Sequence, residues 1–127
     1  AHPKVLLHTG EFVFISKNQG KKMIEAGLLL TGETGETKQL QSYYQAEYGL
    51  SLPVQMRIDG WGVIKPMALE GHGIGFVPDY ILSDVERRFI YRGLKLPKIH
   101  YRICCVYPEN QSLNVKSHEL LKIITRR

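Results

Sequence analysis

The stretch Met67-Ala-Leu-Glu-Gly-His-Gly-Ile-Gly-Phe-Val-Pro-Asp-Tyr80 most restricts the folds open to this chain. Met67, Ala68 and Leu69 suit the end of a helix. Gly71 and Gly73 permit the positive φ that a helix C-terminus commonly needs. Ile74-Gly-Phe-Val77 is a short apolar run, the mark of a strand covered on both faces. Pro78 lacks a backbone donor and stops the pairing. A helix that turns directly into an interior strand is half of a βαβ crossover. The glycines here are not a phosphate loop, because such a loop follows a strand and precedes a helix. The order in this stretch is the reverse.

The rest of the chain repeats the alternation. Glu11-Phe-Val-Phe-Ile-Ser-Lys17 and Leu28-Leu-Leu-Thr31 read as buried strands, with a single helical turn over residues 21–26 between them, closed by Gly27. Residues 37–48 form the strongest predicted helix. Leu40, Tyr43, Tyr44 and Tyr48 share one face, Gly49 stands where a left-handed cap belongs, and Leu50 is expected to pack back beside it. Val54-Gln-Met-Arg-Ile-Asp59 alternates apolar and polar residues, as a strand with one wet face does. A second helix is expected over residues 63–70. Pro66 is comfortable only in a first turn, so that helix begins at about Val63 or is kinked. A short helical turn over 79–85 and an extended piece over 89–91 follow. His100-Tyr-Arg-Ile-Cys-Cys-Val-Tyr107 is the last long strand, stopped by Pro108. Asn114 is placed to cap a terminal helix over 115–125, with Leu120, Leu121 and Ile124 as its apolar stripe. The expected class is α/β, a mainly parallel open sheet flanked by helices.

Composition excludes several functions. With 127 residues, 43% hydrophobic and 23% charged, the chain fits one ordinary globular domain. No apolar run approaches the roughly 18 residues that span a bilayer, so no membrane partner is expected. No signal peptide opens the chain, and its start at Ala1-His2-Pro3 without Met reads as processing or excision. The net charge of +5 is spread in pairs such as Lys21-Lys22 and Arg87-Arg88, as on solvated faces. A nucleic-acid binder gathers its charge on one element. Cys104 and Cys105 are adjacent and, on a strand, face opposite sides. They read as small apolar residues in a reducing compartment. The histidines His2, His8, His72, His100 and His118 show no ligand spacing, so neither a metal nor a cofactor is expected. His72, between two glycines, reads as an exposed turn residue. No nucleophile–base or phosphate-binding motif is present.

Two segments run strand, loop, helix: 28–31 into the Gly32–Glu36 loop, and 54–59 into Gly60-Trp-Gly62. Ligands of open α/β sheets bind beyond the carboxyl ends of the strands, where helix N-termini offer unpaired N–H groups. Thr31, Thr34 and Thr37 either present hydroxyls to a polar small molecule or merely cap the helix. Glu33 and Glu36 argue against a simple anion there. Trp61, the single tryptophan, belongs either to the core or to a pocket at the strand end.

Residues 71–80 resemble the G-x-G-I-x-x-x-P segment in the effector-binding domain of LysR-type transcriptional regulators. Leu7-His-Thr-Gly-Glu-Phe-Val-Phe-Ile15 is similar to the stretch that enters that domain's second subdomain. Ile103-Cys-Cys-Val-Tyr-Pro108 and Leu113 are similar to its closing strand and last helix. The resemblance implies one lobe of a periplasmic-binding-protein-like (type 2) fold. Residues 1–110 would be the second lobe, and 111–127 a helix returning toward the first. It implies a cytoplasmic, non-enzymatic sensor that binds a small-molecule effector between lobes and forms homo-oligomers, dimers by expectation. DNA would be reached only through an N-terminal helix-turn-helix outside this sequence. By position, the effector residues implied are Thr31, Thr34, Asp59, Gly60 and Trp61 in the loops, with Phe76 and Pro78 on the strand nearest the hinge. A lobe of a solute-binding transport protein, which shares the fold, is the competing reading. A small α/β enzyme is a third.

Overall fold

The computed structural model describes residues 4–93, 96, 98–106 and 121–125. In chain order the elements are β1 (Lys4–Ile15), α1 (Met23–Ala26), β2 (Leu28–Leu30), α2 (Gly35–Tyr48), β3 (Val54–Arg57), α3 (Trp61–Leu69), β4 (Ile74–Pro78), β5 (His100–Val106) and β6 (Leu121–Thr125), with 3₁₀ turns at Asp79–Ile81 and Glu86–Phe89. The strands form one open sheet in the order β3-β2-β4-β1-β5-β6. The α/β class and the flanking helices are as expected, and β3, expected to have one wet face, stands at an edge.

The sheet is mixed, which corrects the expectation of mainly parallel pairing. Only β3-β2-β4 run parallel. β1 is antiparallel to β4 and β5, and β5 to β6. The cause is connection length. A parallel return needs a crossover long enough to recross the sheet. α1 has 4 residues, a rise of about 6 Å, so β2 starts near the end where β1 stops. α2 and α3 are long enough to carry the chain back.

The terminal segment also differs from its reading. Leu121–Thr125 is a strand paired with β5, from Tyr101↔Thr125 to Cys105↔Leu121. Ile123, Ile124 and Thr125 are β-branched and suit a strand, and a short apolar run fits either period. Asn114, Leu120 and the rest of 115–120 lie outside the described residues.

The two faces of the sheet carry separate cores. Phe12, Leu28, Leu30, Ile74 and Phe76 pack with Leu40 and Tyr44 of α2. Ile15, Leu29 and Val77 pack with Ile64 and Ala68 of α3. Alternation along β2 and β4 therefore feeds both sides, and every residue of β4 is buried. α3 starts at Trp61, so Pro66 stands inside the helix and leaves the Gly62 carbonyl without its intrahelical donor. Gly62 is exposed, so water can satisfy it. In the turn before β4 only Gly71 has positive φ, at 93°. Gly73 is required by space instead. A Cβ there would lie 2.9 Å from Gln55 Oε1 and 3.0 Å from Leu29 Cγ.

Candidate functional site

β2 lies between β3 and β4, and the three run parallel. The loops that follow them therefore gather at one end of the sheet. Residues 31–34 follow β2, 58–60 follow β3, and Asp79 follows β4. The guanidinium of Arg57 donates from Nη1 to the Thr31 carbonyl at 2.9 Å and ties the first two loops together.

Thr34 is the N-cap of α2 and forms a reciprocal capping box with Thr37. Thr37 Oγ1 accepts the Thr34 N–H at 2.9 Å and donates to the Gly32 carbonyl at 3.0 Å. Thr37 is buried, so its hydroxyl is committed to the cap. The Thr31 hydroxyl has only long contacts, 3.4 Å to Thr34 Oγ1 and 3.5 Å to the Gly32 carbonyl. Thr31 is half-buried and Thr34 exposed. Glu36, in the first turn of α2, is buried, where a carboxylate is favoured by the helix dipole.

In the second loop Asp59 and Gly60 are exposed. Gly60 has φ 104°, a conformation that favours glycine, and caps α3. Trp61 then turns inward. Its ring meets Phe12 edge-on at 5.8 Å, and it packs against both cores. Its indole Nε1 is buried with no hydrogen-bond partner among the described residues. Phe76 is 3% exposed and stacks on Phe12, and Pro78 is fully buried. The structure thus brings Thr31, Thr34, Asp59, Gly60 and Trp61 to one end of the sheet and sets Phe76 and Pro78 behind that surface. Among the described residues no group of His, Cys, Asp and Glu is arranged to hold a metal ion.

The sequence reading missed Asp79. β1 changes partner next to it, pairing with β5 through Glu11↔His100 and with β4 from Phe12↔Pro78. At this fork Asp79 Oδ1 accepts the Tyr101 hydroxyl, and Oδ2 accepts the Glu11 N–H at 3.4 Å. One carboxylate joins β1, β4 and β5. A Cβ on Gly10 would lie 2.3 Å from the Tyr101 hydroxyl, so glycine makes the contact possible. Gly10 stood just before the predicted strand, which began at Glu11, whereas β1 starts at Lys4 and takes Gly10 into its interior.

Burial, then the hydrogen bond to Asp79 and its charge, push the Tyr101 phenol well above its ordinary 10.0. The shift stabilises the fold fully below pH 10 and is lost as pH rises beyond it. Tyr101→Phe is expected to cost about 1–2 kcal/mol, since it strands one carboxylate oxygen, and to flatten the alkaline fall in stability. Urea melts between pH 7 and 11 measure both.

Compared with known proteins, residues 25–127 match the family model of the LysR substrate binding domain. The chain belongs to this LysR family. The reduced form of OxyR from N. meningitidis has a similar fold, with TM-score 0.55, 16% identity, and coverage of 97% of this chain and 69% of that one. No curated protein sequence matches. The LysR substrate-binding family is regulatory, so the chain is an effector-binding domain and not an enzyme.

Proposed function

We propose that this LysR chain is the second lobe of the effector-binding domain of a bacterial transcription regulator. The match to the LysR substrate binding domain over residues 25–127 carries the proposal. A small molecule is held between lobes, against the loops that bear Thr31, Thr34, Asp59, Gly60 and Trp61, while Phe76 and Pro78 set their shape from behind. Closure on the ligand changes how the oligomer holds DNA through its N-terminal helix-turn-helix, in the cytoplasm.

Two observations support the reading. The loops gather at one end of the sheet, the place where ligands of open α/β sheets bind. Val5, Leu6 and Leu7 at the start of β1 are 39%, 56% and 56% exposed, an apolar run suited to cover by a neighbouring lobe. The reading adds no membrane partner, and no helix among the described residues is long and apolar enough to cross a membrane. The test is a thermal-shift screen of the intact gene product against small metabolites, followed by operator binding with each hit. A metabolite that raises the midpoint and alters operator binding supports the proposal. A gene product lacking a helix-turn-helix and carrying a secretion signal contradicts it.

A further inference from the structure

We propose, resting on the effector reading above, that Glu36 is the charge-reading residue of the strand-end site and that the ligand held there carries a primary ammonium group. Glu36 lies in the first turn of α2 and is 6% exposed. Leu40 and Tyr44 follow it at four-residue steps and are also buried, so the three share the face of α2 that meets the sheet. Leu40 and Tyr44 find apolar partners there. Glu36 stands about 6 Å further along the axis, four residues at the helical rise. Side chains of a helix lean toward its N-terminus, and α2 begins directly after the 31–34 loop. The carboxylate is therefore aimed at the strand-end loops. It has no hydrogen bond or ion pair among the described residues. Nor is it sealed, since the enclosed side-chain polar atoms without a partner there are Trp61 Nε1 and Arg102 Nε. A ligand can reach it.

A buried polar group without a partner is uncommon in a folded protein and calls for an explanation. The dipole of α2 offsets part of the cost of burying the charge. It leaves an acceptor with no donor, and an ionised carboxylate can only accept. An ammonium group supplies three donors and the opposite charge. The surroundings set the same sign. Residues 31–36, 57–61 and 79–80 include Glu33, Glu36, Asp59 and Asp79, with Arg57 as their one cation. Arg57 is turned to the Thr31 carbonyl, 2.9 Å from Nη1. Asp79 is engaged by Tyr101 and the Glu11 N–H. Glu33 and Asp59 are exposed. Lys38 is exposed too, and two residues place it roughly 200° round the helix from Glu36. The Thr31 hydroxyl, with only long internal contacts, can accept a further ammonium N–H. A carboxylate head group would instead meet like charge.

The test is amide-resolved NMR of the whole chain, titrated with butylammonium, butan-1-ol and butyrate, which share a chain length and differ in charge. Butylammonium is expected to shift the amides of residues 31–37 and 59–61 saturably, and butyrate to bind least. Glu36→Gln keeps the side-chain shape and removes the charge. It is expected to weaken butylammonium about tenfold, the scale of one lost charge-assisted hydrogen bond, and to leave butan-1-ol nearly unchanged. Asp59→Asn, at an exposed position, should weaken butylammonium less. Butyrate binding as tightly as butylammonium, equal butylammonium affinity in wild type and Glu36→Gln, or absence of saturable shifts at residues 31–37 would each overturn the proposal. A Glu36→Gln chain that fails to fold would overturn it as well, by showing the carboxylate to be structural. Operator binding by the intact gene product separates this assignment from the effector reading. A response to a neutral or anionic metabolite that Thr31→Val weakens and Glu36→Gln does not would overturn the ammonium assignment alone. Butylammonium held through Glu36, with operator binding unmoved by every metabolite, would support the assignment and remove the effector reading.

Discussion

Gly75→Val is expected to destabilise the lobe by about 3 kcal/mol, at the upper end for overpacking a close-fitting core. Gly75 is the second residue of β4, paired with Ile15 on one side and Leu29 on the other. A Cβ there would stand 2.8 Å from Ile64 Cγ2, 3.1 Å from Ala68 Cβ and 3.3 Å from Ile15 Cγ1. α3 sits on the sheet only because this position has no side chain. The backbone conformation needs no glycine, since Gly75 is not among the positive-φ residues. The penalty is therefore one of space. Gly75→Ala should cost less, and adding Ala68→Gly should recover part of that loss, despite the ~1 kcal/mol that glycine costs in a helix. Urea unfolding of the four chains of this cycle measures the coupling. Strict additivity would mean that Ala68 does not seat against Gly75.

Trp61→Ala is expected to lose about 2–3 kcal/mol, somewhat below the ~3–5 kcal/mol of a fully buried large aromatic. Trp61 is half-buried, touches both cores and rests edge-on against Phe12. Truncation opens a cavity where α3 begins, so any accompanying loss of ligand response would mix folding with binding. Trp61→Phe keeps most of the apolar contact, trims the bicyclic ring to a single one and removes the indole N–H, which has no partner to lose among the described residues. Chemical denaturation should show Trp61→Phe near the wild-type midpoint and Trp61→Ala far below it. Equal midpoints would mean that the indole contributes little packing.

The parts of the fold legible in the sequence were those set by local pattern. Ile74–Val77 is the buried central strand that its apolar run announced, although the strand and its pairing run on through Pro78, which faces Phe12 instead of ending the ladder. Gly49 takes the left-handed cap with φ 67°, while Leu50, expected to pack beside it, is 55% exposed. Strand direction was not legible, because it depends on how far α1 carries the chain. The final strand was not legible either. Leu121 and Ile124 fit a helical stripe, and only the open edge of β5 selects the extended form.

The site divides in the same way. The order strand, loop, helix located the 31–34 and 59–61 loops. The burial around Phe76 was legible in the apolar run, but the residues that face Phe76 and Pro78, Phe14 and Phe12 of β1, are more than 60 positions away and no local pattern reveals them. Asp79 and Tyr101 are 22 residues apart and meet only through the β1–β5 register.

The central claim is that loops 31–34 and 59–61 read a small-molecule effector. The most direct measurement is an effector titration of operator binding by the intact regulator, comparing wild type with Thr31→Val and Trp61→Phe. Thr31→Val removes a hydroxyl that makes only long internal contacts, so the lobe should stay folded. If these residues touch the effector, Thr31→Val should need about tenfold more of it for half response, the cost of one lost hydrogen bond to a polar or charged ligand, and Trp61→Phe a smaller excess from lost ring contact, since the indole Nε1 is buried. An unchanged half-response concentration in both folded variants would contradict the account.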